Sequence, residues 1–247
     1  MSALLHTNNT NNTIDNYKDI RKRIIPLDVY LTWGTKNLPN KMNERVETLK
    51  KQNPQFKYHL FDDNDCREFI KNHFREDVLY AYDHLIPGAY KADLWRYCVL
   101  FINGGIYLDI KLACVNDFKL ISLTNKEHFV KNRPANSVYN AFMCCRKGNI
   151  LLFMAIRQIV ANVKSRYYGK TALSPTGPEM LGSIILKYKI PVNIDMTHYH
   201  GGGYVLYKKR FVISTEYKEY NDERNVLYRK NDTKRYDKLW ASRNIYK

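Results

Sequence analysis

Apolar residues are sparse before Ile24, and residues 1–22 are polar and rich in Asn. Such a segment cannot bury enough surface to offset chain entropy, so the pattern predicts a disordered Asn-rich leader over 1–22 and one folded domain over 23–247. Asp28-Val-Tyr-Leu-Thr-Trp33 alternates and is β-branched and aromatic, then breaks at Gly34, which predicts a strand opening into a loop. Met42, Val46 and Leu49 recur at helical spacing over 41–52, with Asn40 placed as a cap and Pro54 as a stop. Residues 56–61 read as a second strand closed by Asp62-Asp63, and Cys66, Phe69, Ile70 and Phe74 mark a helix over 63–74. A turn at Pro87-Gly88 leads to a strongly apolar helix over 89–102, ended by Asn103-Gly104-Gly105, and a strand over 106–110. Further on, the pattern predicts a strand over 139–146 and a helix over 149–163 capped by Asn149. A loop over 173–178 follows, able to start a helix at Pro178, then a hairpin pairing 205–208 with 211–215 over Lys209-Arg210. Strand and helix alternating in this way predict an α/β domain with a mostly parallel central sheet flanked by helices.

Composition narrows the class. Of 247 residues, 45% are apolar and 20 are Tyr, enough for one core, which excludes a wholly disordered protein. The longest apolar run, Ile150 to Ile156, is far short of the ~18 residues of a membrane span. No secretory signal is visible, and the five Cys include no CxxC pair. A soluble, cytoplasmic protein in a reducing compartment is expected, with peripheral membrane contact left open. The 40 Lys and Arg outnumber the 24 Asp and Glu, and the excess is uneven: after residue 111 there are 24 basic against 10 acidic residues. A negatively charged partner follows, whether a phosphorylated ligand, an acidic glycan, nucleic acid or anionic lipid; codon usage in an AT-rich genome is the plainer explanation.

The candidate chemistry lies in Lys91 to Lys111. Leu94, Cys98 and Phe101 form one apolar stripe of the helix and Trp95, Val99 and Ile102 another, so most of the helix is buried. Asp93 and Arg96, three apart, share the remaining narrow face. Charges there are costly unless paired with each other or bound to a ligand. In the strand after Gly104-Gly105, Tyr107, Asp109 and Lys111 alternate away from Ile106, Leu108 and Ile110. An acid at the carboxyl end of such a strand sits where α/β sheets place ligands.

The run ADLWRYCVLFINGGIYLDI (residues 92–110) resembles the sugar-binding region, with its DXD motif, of family 32 glycosyltransferases, which have a GT-A fold. Weaker likenesses flank it: Val29 to Pro39 is similar to the family's opening strand and loop, 56–62 to its second strand, Thr176-Gly177-Pro178 to its T-G-P loop, and 240–246 to its tail. The resemblance implies a retaining hexosyltransferase that moves a sugar from a nucleoside-diphosphate sugar to a hydroxyl of a glycan or protein acceptor, an acidic one suiting the basic second part. Thr32, Trp33 and Gly34 would meet the nucleotide base, with Asp62 nearby. Asp93 would accept from ribose or sugar hydroxyls, and Arg96 would hold the donor from the same helix face. Gly105, Tyr107 and Asp109 would form the motif strand, Asp109 touching sugar and ribose and helping to place a divalent Mn or Mg. Thr176, Gly177, Pro178 and Glu179 suit an acceptor loop or a plain helix cap. Trp240 would close over the diphosphate or sit in the core. His200, two residues after His198, would be a late metal ligand or an incidental loop residue.

One position departs from the motif. Asp109-Ile110-Lys111 stands where Asp-x-Asp is expected, and a protonated Lys111 cannot ligate. Either Asp109 keeps the metal with other ligands, giving a weakened metal dependence, or the Lys111 ammonium takes part of the cation's task. Two other readings remain: a transferase fold that has lost turnover, and a basic nucleic-acid-binding protein, although no recognised nucleic-acid motif accompanies the charge.

Overall fold

The computed structural model describes residues 23–133, 136–230 and 234–247; the expected leader over 1–22 lies outside the described residues. The chain runs β1 (Asp28–Thr32), α1 (Asn40–Gln52), β2 (Lys57–Phe61), α2 (Asp63–His73), α3 (Glu76–His84), α4 (Gly88–Asn103) and β3 (Gly105–Leu108). It continues through β4 (Ala113–Cys114), β5 (Phe129–Lys131), β6 (Phe142–Cys145), α5 (Ile150–Lys164), α6 (Pro178–Tyr188), β7 (Ile194–Tyr199), β8 (Tyr204–Tyr207), β9 (Arg210–Ser214), α7 (Tyr220–Lys230) and α8 (Tyr236–Ala241).

Two sheets form. In the first, ordered β2-β1-β3-β6, β1 runs parallel to β2 and β3, and β6 is antiparallel to β3. The second, ordered β4-β9-β8-β7-β5, is antiparallel except where β5 meets β7. Period-two alternation gives the first sheet a core on each side. Tyr30 and Tyr107 pack with Trp95, Tyr97, Leu151 and Ile159 of the helical layer, while Val29, Leu31, Ile106 and Leu108 pack with Met42 and Val46 of α1 and with Met196, Val205 and Ile213 of the second sheet. The α/β expectation therefore holds.

Local signals set several boundaries. Asp62 caps α2 through a reciprocal capping box with Asp65, and Asn149 caps α5 by accepting from the Leu152 amide. Asn40, the expected cap of α1, is instead its first residue after Pro39. The hairpin turns over Lys208-Lys209, both at positive φ, one residue earlier than expected. At Gly105, φ is +105° and a Cβ would stand 2.6 Å from the Asp28 carbonyl oxygen, so only glycine lets β3 turn out of α4 against β1. All five cysteines are free and buried. Among the described residues, no helix is long and apolar enough to cross a membrane.

Candidate functional site

Because β1 and β3 are parallel neighbours, the segments leaving their carboxyl ends, Trp33-Gly34 and Asp109-Ile110, meet at one sheet edge. A cavity of about 320 Å³ opens there, within the ~300–1,000 Å³ of ligand pockets. Thr32, Trp33, Gly34, Arg96, Tyr107 and Asp109, all expected from the sequence, line it.

Arg96 is the organising charge. Buried to 5% exposure on α4, it donates through Nη1 to the Asn140 carbonyl at 2.9 Å and through Nε to the Ala92 carbonyl at 3.1 Å. The same Nη1 lies 3.2 Å from Asp109 Oδ1, and Nη2 is 3.5 Å from Asp93 Oδ1. Its guanidinium stands 4.4 Å over the Tyr107 ring, whose hydroxyl donates to Asp109 Oδ1 at 2.7 Å. Burial alone would lower the Arg96 pKa; Tyr107, Asp109 and Asp93 outweigh it and keep the cation locked on. Tyr107 and Asp109 thus share one face, as alternation predicts.

Asp93 takes a different place from the one expected. It does not line the cavity: Thr176 donates its hydroxyl to Oδ2 at 2.7 Å, and Asn140 donates to Oδ1 at 2.8 Å. Burial pushes its pKa up, against Arg96, Thr176 and Asn140. Asp93 thus stands behind Arg96, held by Thr176 and Asn140. Asn140 knits this layer together and also donates to the Tyr97 hydroxyl at 2.7 Å. Sequence reasoning missed it, because a lone Asn before a strand carries no periodic signal.

The T-G-P loop is absorbed by the same network. Thr176 and Pro178 are buried, Tyr97 donates to the Thr176 carbonyl at 3.0 Å, and a Cβ on Gly177 would meet Asp93 Oδ2 at 3.5 Å. Glu179 points the other way, accepting from Thr171 and Ser174 at 2.8 and 2.7 Å beside a separate surface groove. Thr176 and Gly177 back onto Asp93 and Pro178 begins α6; none of the four lines the Asp109 cavity. Asp62 is likewise spent on the α2 cap, and Asp63 beside it faces the cavity instead. Burial raises the Asp63 pKa and lowers that of Lys91 in the same wall, each partly offset by the other. Trp240 donates its indole N–H to the Tyr168 carbonyl at 2.8 Å and is not part of the cavity wall. Gly105 serves the backbone turn.

Ile86 and the first turns of α4 form a second wall, and a third comes from α7, where Tyr220, Arg224, Leu227 and Tyr228 repeat at helical spacing and face the cavity, joined by Lys234 and Tyr236. Trp33 and Tyr220 rings are 6.4 Å apart, and a Cβ on Gly34 would stand 3.1 Å from Leu227. Lys111 leaves the strand at a turn closed by the Leu112 amide on the Asp109 carbonyl, and its ammonium lies 5.1 Å over the Tyr220 ring.

For a divalent cation the motif strand offers one carboxylate, that of Asp109. His200 bonds Asn132 Oδ1 at 3.0 Å and packs against His198. Among the described residues no three His, Cys, Asp or Glu side chains converge as a metal site, and His200 is not in the wall that carries Asp109. Both close contacts of Asp109 use Oδ1. A hard ion that takes most of its oxygens from diphosphate and water needs only one such carboxylate, so Asp109 fits Mg or Mn in this limited way and Lys111 does not.

This geometry defines a class: a GT-A domain with a charged cleft at the carboxyl edge of its parallel strands. Residues 39–130 match the glycosyltransferase sugar-binding region containing the DXD motif. The chain is similar to an uncharacterized glycosyltransferase, L373, of Acanthamoeba polyphaga mimivirus, 37% identical over 93 residues, which is 37% of each chain. It is also similar to inositol phosphoceramide mannosyltransferases 3 and 2 of Schizosaccharomyces pombe, 28% identical over 65% of this chain and 25% identical over 94%. It spans 37%, 44% and 66% of the lengths of these three relatives. Among solved structures, the PaToxG glycosyltransferase superposes with a TM-score of 0.53 at 19% identity, covering 72% of this chain and 74% of that one, which bears on the fold. The resemblance read from the sequence stands: the chain is family 32-like, with the DXD-type sugar-binding region over residues 39–130.

Proposed function

We propose that the protein is a retaining hexosyltransferase that moves a sugar from a nucleoside-diphosphate sugar to an acceptor hydroxyl. The observation that carries this reading is the Arg96–Asp109–Tyr107 cluster at the strand-end cavity, a fixed cation and a fixed acceptor side by side. Asp109 would accept hydrogen bonds from donor hydroxyls, its position held by the Tyr107 hydroxyl and the Arg96 guanidinium. Trp33, with Tyr220 across from it, offers an aromatic wall for the base, and Asp63 a carboxylate for the ribose. In the transfer, the bond between the anomeric carbon and the leaving phosphate oxygen breaks and a bond to the acceptor oxygen forms on the same face. The acceptor proton passes to the departing phosphate, so no protein nucleophile is needed. Negative charge then grows on the diphosphate, and a preorganised cation such as Arg96 is worth ~3–4 kcal/mol there. A divalent ion, where Asp109 holds one, would supply further neutralisation of the diphosphate.

The relatives named as mannosyltransferases support mannose as the first donor sugar to try. Those named for inositol phosphoceramide support an anionic, phosphate-bearing acceptor beside the glycan and protein acceptors expected from the sequence. The test is nucleoside-diphosphate release from a panel of GDP- and UDP-sugars, by the wild type and by Asp109→Asn. Release by the wild type that falls at least a hundredfold in the variant supports the reading. Silence with every donor but retained nucleotide binding points to a fold without turnover. Silence combined with steeply salt-sensitive RNA binding replaces the reading with a nucleic-acid-binding one.

A further inference from the structure

The cavity wall carries more cation than the Arg96 network uses. Lys91 faces Asp63, and Arg96 faces Asp109 and Asp93, which leaves Arg224 and Lys234 on the same wall and Lys111 at its edge. Arg224 is distinctive. Its Nε is buried without a hydrogen-bond partner, and its guanidinium lies 5.3 Å from the Tyr220 ring centre, the same ring the Lys111 ammonium covers at 5.1 Å. Among the described residues, neither Arg224 nor Lys111 forms an ion pair. The nearby Glu223 is turned away, accepting from the Lys41 amide and the Tyr217 hydroxyl at 2.9 and 2.6 Å. A buried donor without a partner is costly, and two cations on one aromatic ring repel each other. A helix with no fully buried side chain therefore sets the Arg224 guanidinium and, from the strand end, the Lys111 ammonium against one Tyr220 ring at the wall that also carries Asp109.

We propose that α7 is the diphosphate-binding wall of the site, in which Arg224 donates to the distal phosphate of a nucleoside diphosphate and Lys111 flanks the same phosphate across Tyr220. This rests on the nucleotide-sugar reading and adds to it a residue set outside the 39–130 region that matches the family. A guanidinium presents paired donors matched to phosphate oxygens. A ligand carrying two or more negative charges satisfies the idle Nε and relieves the repulsion between the two cations. Arg224 and Lys111 then supply at the distal phosphate the positive charge that a second carboxylate and its ion would have supplied, and they do so without a metal.

The test is equilibrium binding by calorimetry, in excess chelator, of GDP, UDP, GMP and UMP to the full chain. The wild type is expected to bind one diphosphate at least tenfold tighter than its monophosphate. Arg224→Gln should lose about ten- to a hundredfold for the diphosphate, the range of one hydrogen bond between charged groups, while monophosphate binding changes by less than about threefold. Arg224→Lys should recover part of the loss, and Lys111→Met should lose less than Arg224→Gln. Melting temperatures of the free variants show whether each is folded, and Arg224→Lys carries the test if the Gln variant is not. Unchanged diphosphate affinity in both Arg224 variants overturns the assignment of α7 and leaves the nucleotide reading intact. A wild type that binds no diphosphate above its monophosphate in chelator overturns the assignment of α7, and the same result with Mn added overturns the nucleotide-sugar reading as well.

Discussion

Asp93→Asn tests whether the layer behind the cavity is held by charge. The substitution keeps shape and volume but removes the carboxylate that accepts from Thr176 at 2.7 Å and from Asn140 at 2.8 Å, and that lies 3.5 Å from Arg96. Removing one partner of a buried ion pair costs ~3–5 kcal/mol when the other charge is left alone. Arg96 is not left alone, since Asp109 at 3.2 Å and the Asn140 carbonyl at 2.9 Å remain. The expected loss therefore falls at the lower end, about 3 kcal/mol. For a domain of this size each kcal/mol lowers the melting temperature by about 2–4 °C, so the variant should melt about 6–12 °C below wild type. Thr176→Val removes one of the same bonds, and the double variant should lose less than the two singles added together, because both act on one carboxylate. Circular dichroism melts of the four proteins measure this. A melting temperature for Asp93→Asn within about 2 °C of wild type, or strict additivity with Thr176→Val, would refute the network.

Other outcomes follow from single contacts. Gly105→Ala places a Cβ 2.6 Å from the Asp28 carbonyl at a φ of +105°, so it should cost at least ~1–3 kcal/mol, seen as a lower urea midpoint. Tyr107→Phe keeps the ring under Arg96 but removes the hydroxyl donated to Asp109. Turnover should fall about tenfold, the effect of one hydrogen bond to a charged group, with nearly unchanged melting. His198 is held down to about 4 by burial first, then by His200 and Lys111. Its contribution to stability is fully present above its ordinary value of 6.5 and is lost as pH falls towards 4, where the folded protein must also take up the proton. The melting temperature should decline across that window, and His198→Gln should make the decline shallower.

The parallel strands and the long buried helix were legible because each buries a periodic face. Val29 and Leu31 alternate against Tyr30, and two apolar stripes left Asp93 and Arg96 one narrow strip of α4. The juxtaposition of Tyr107 and Asp109 followed from the same period. The acid beside Trp33 was missed by one residue: Asp62 and Asp63 are chemically alike, and only the capping box decides which is consumed by the backbone and which faces the cavity. The Thr176 and Asn140 partners of Asp93 were not legible because a charge on a buried helix looks the same in sequence whether its partner is a ligand or a neighbouring loop. α7 escaped notice for the opposite reason. Its inward face meets a cavity rather than a core, so Tyr220, Arg224, Leu227 and Tyr228 mix polar and apolar residues and make no hydrophobic stripe. The second sheet was visible only as its β8–β9 hairpin, because β5 and β7 come together across more than 60 residues of intervening chain.

The central claim is that one cleft, framed by Asp109 and Arg96 on one side and α7 on the other, receives an activated sugar's diphosphate. A crystal structure with a nucleoside diphosphate tests it most directly. The account predicts the base against Trp33, a ribose hydroxyl on Asp63 and the distal phosphate between Arg96 and Arg224. A nucleotide bound elsewhere on the surface, or a cavity that stays empty under saturating ligand, would contradict it.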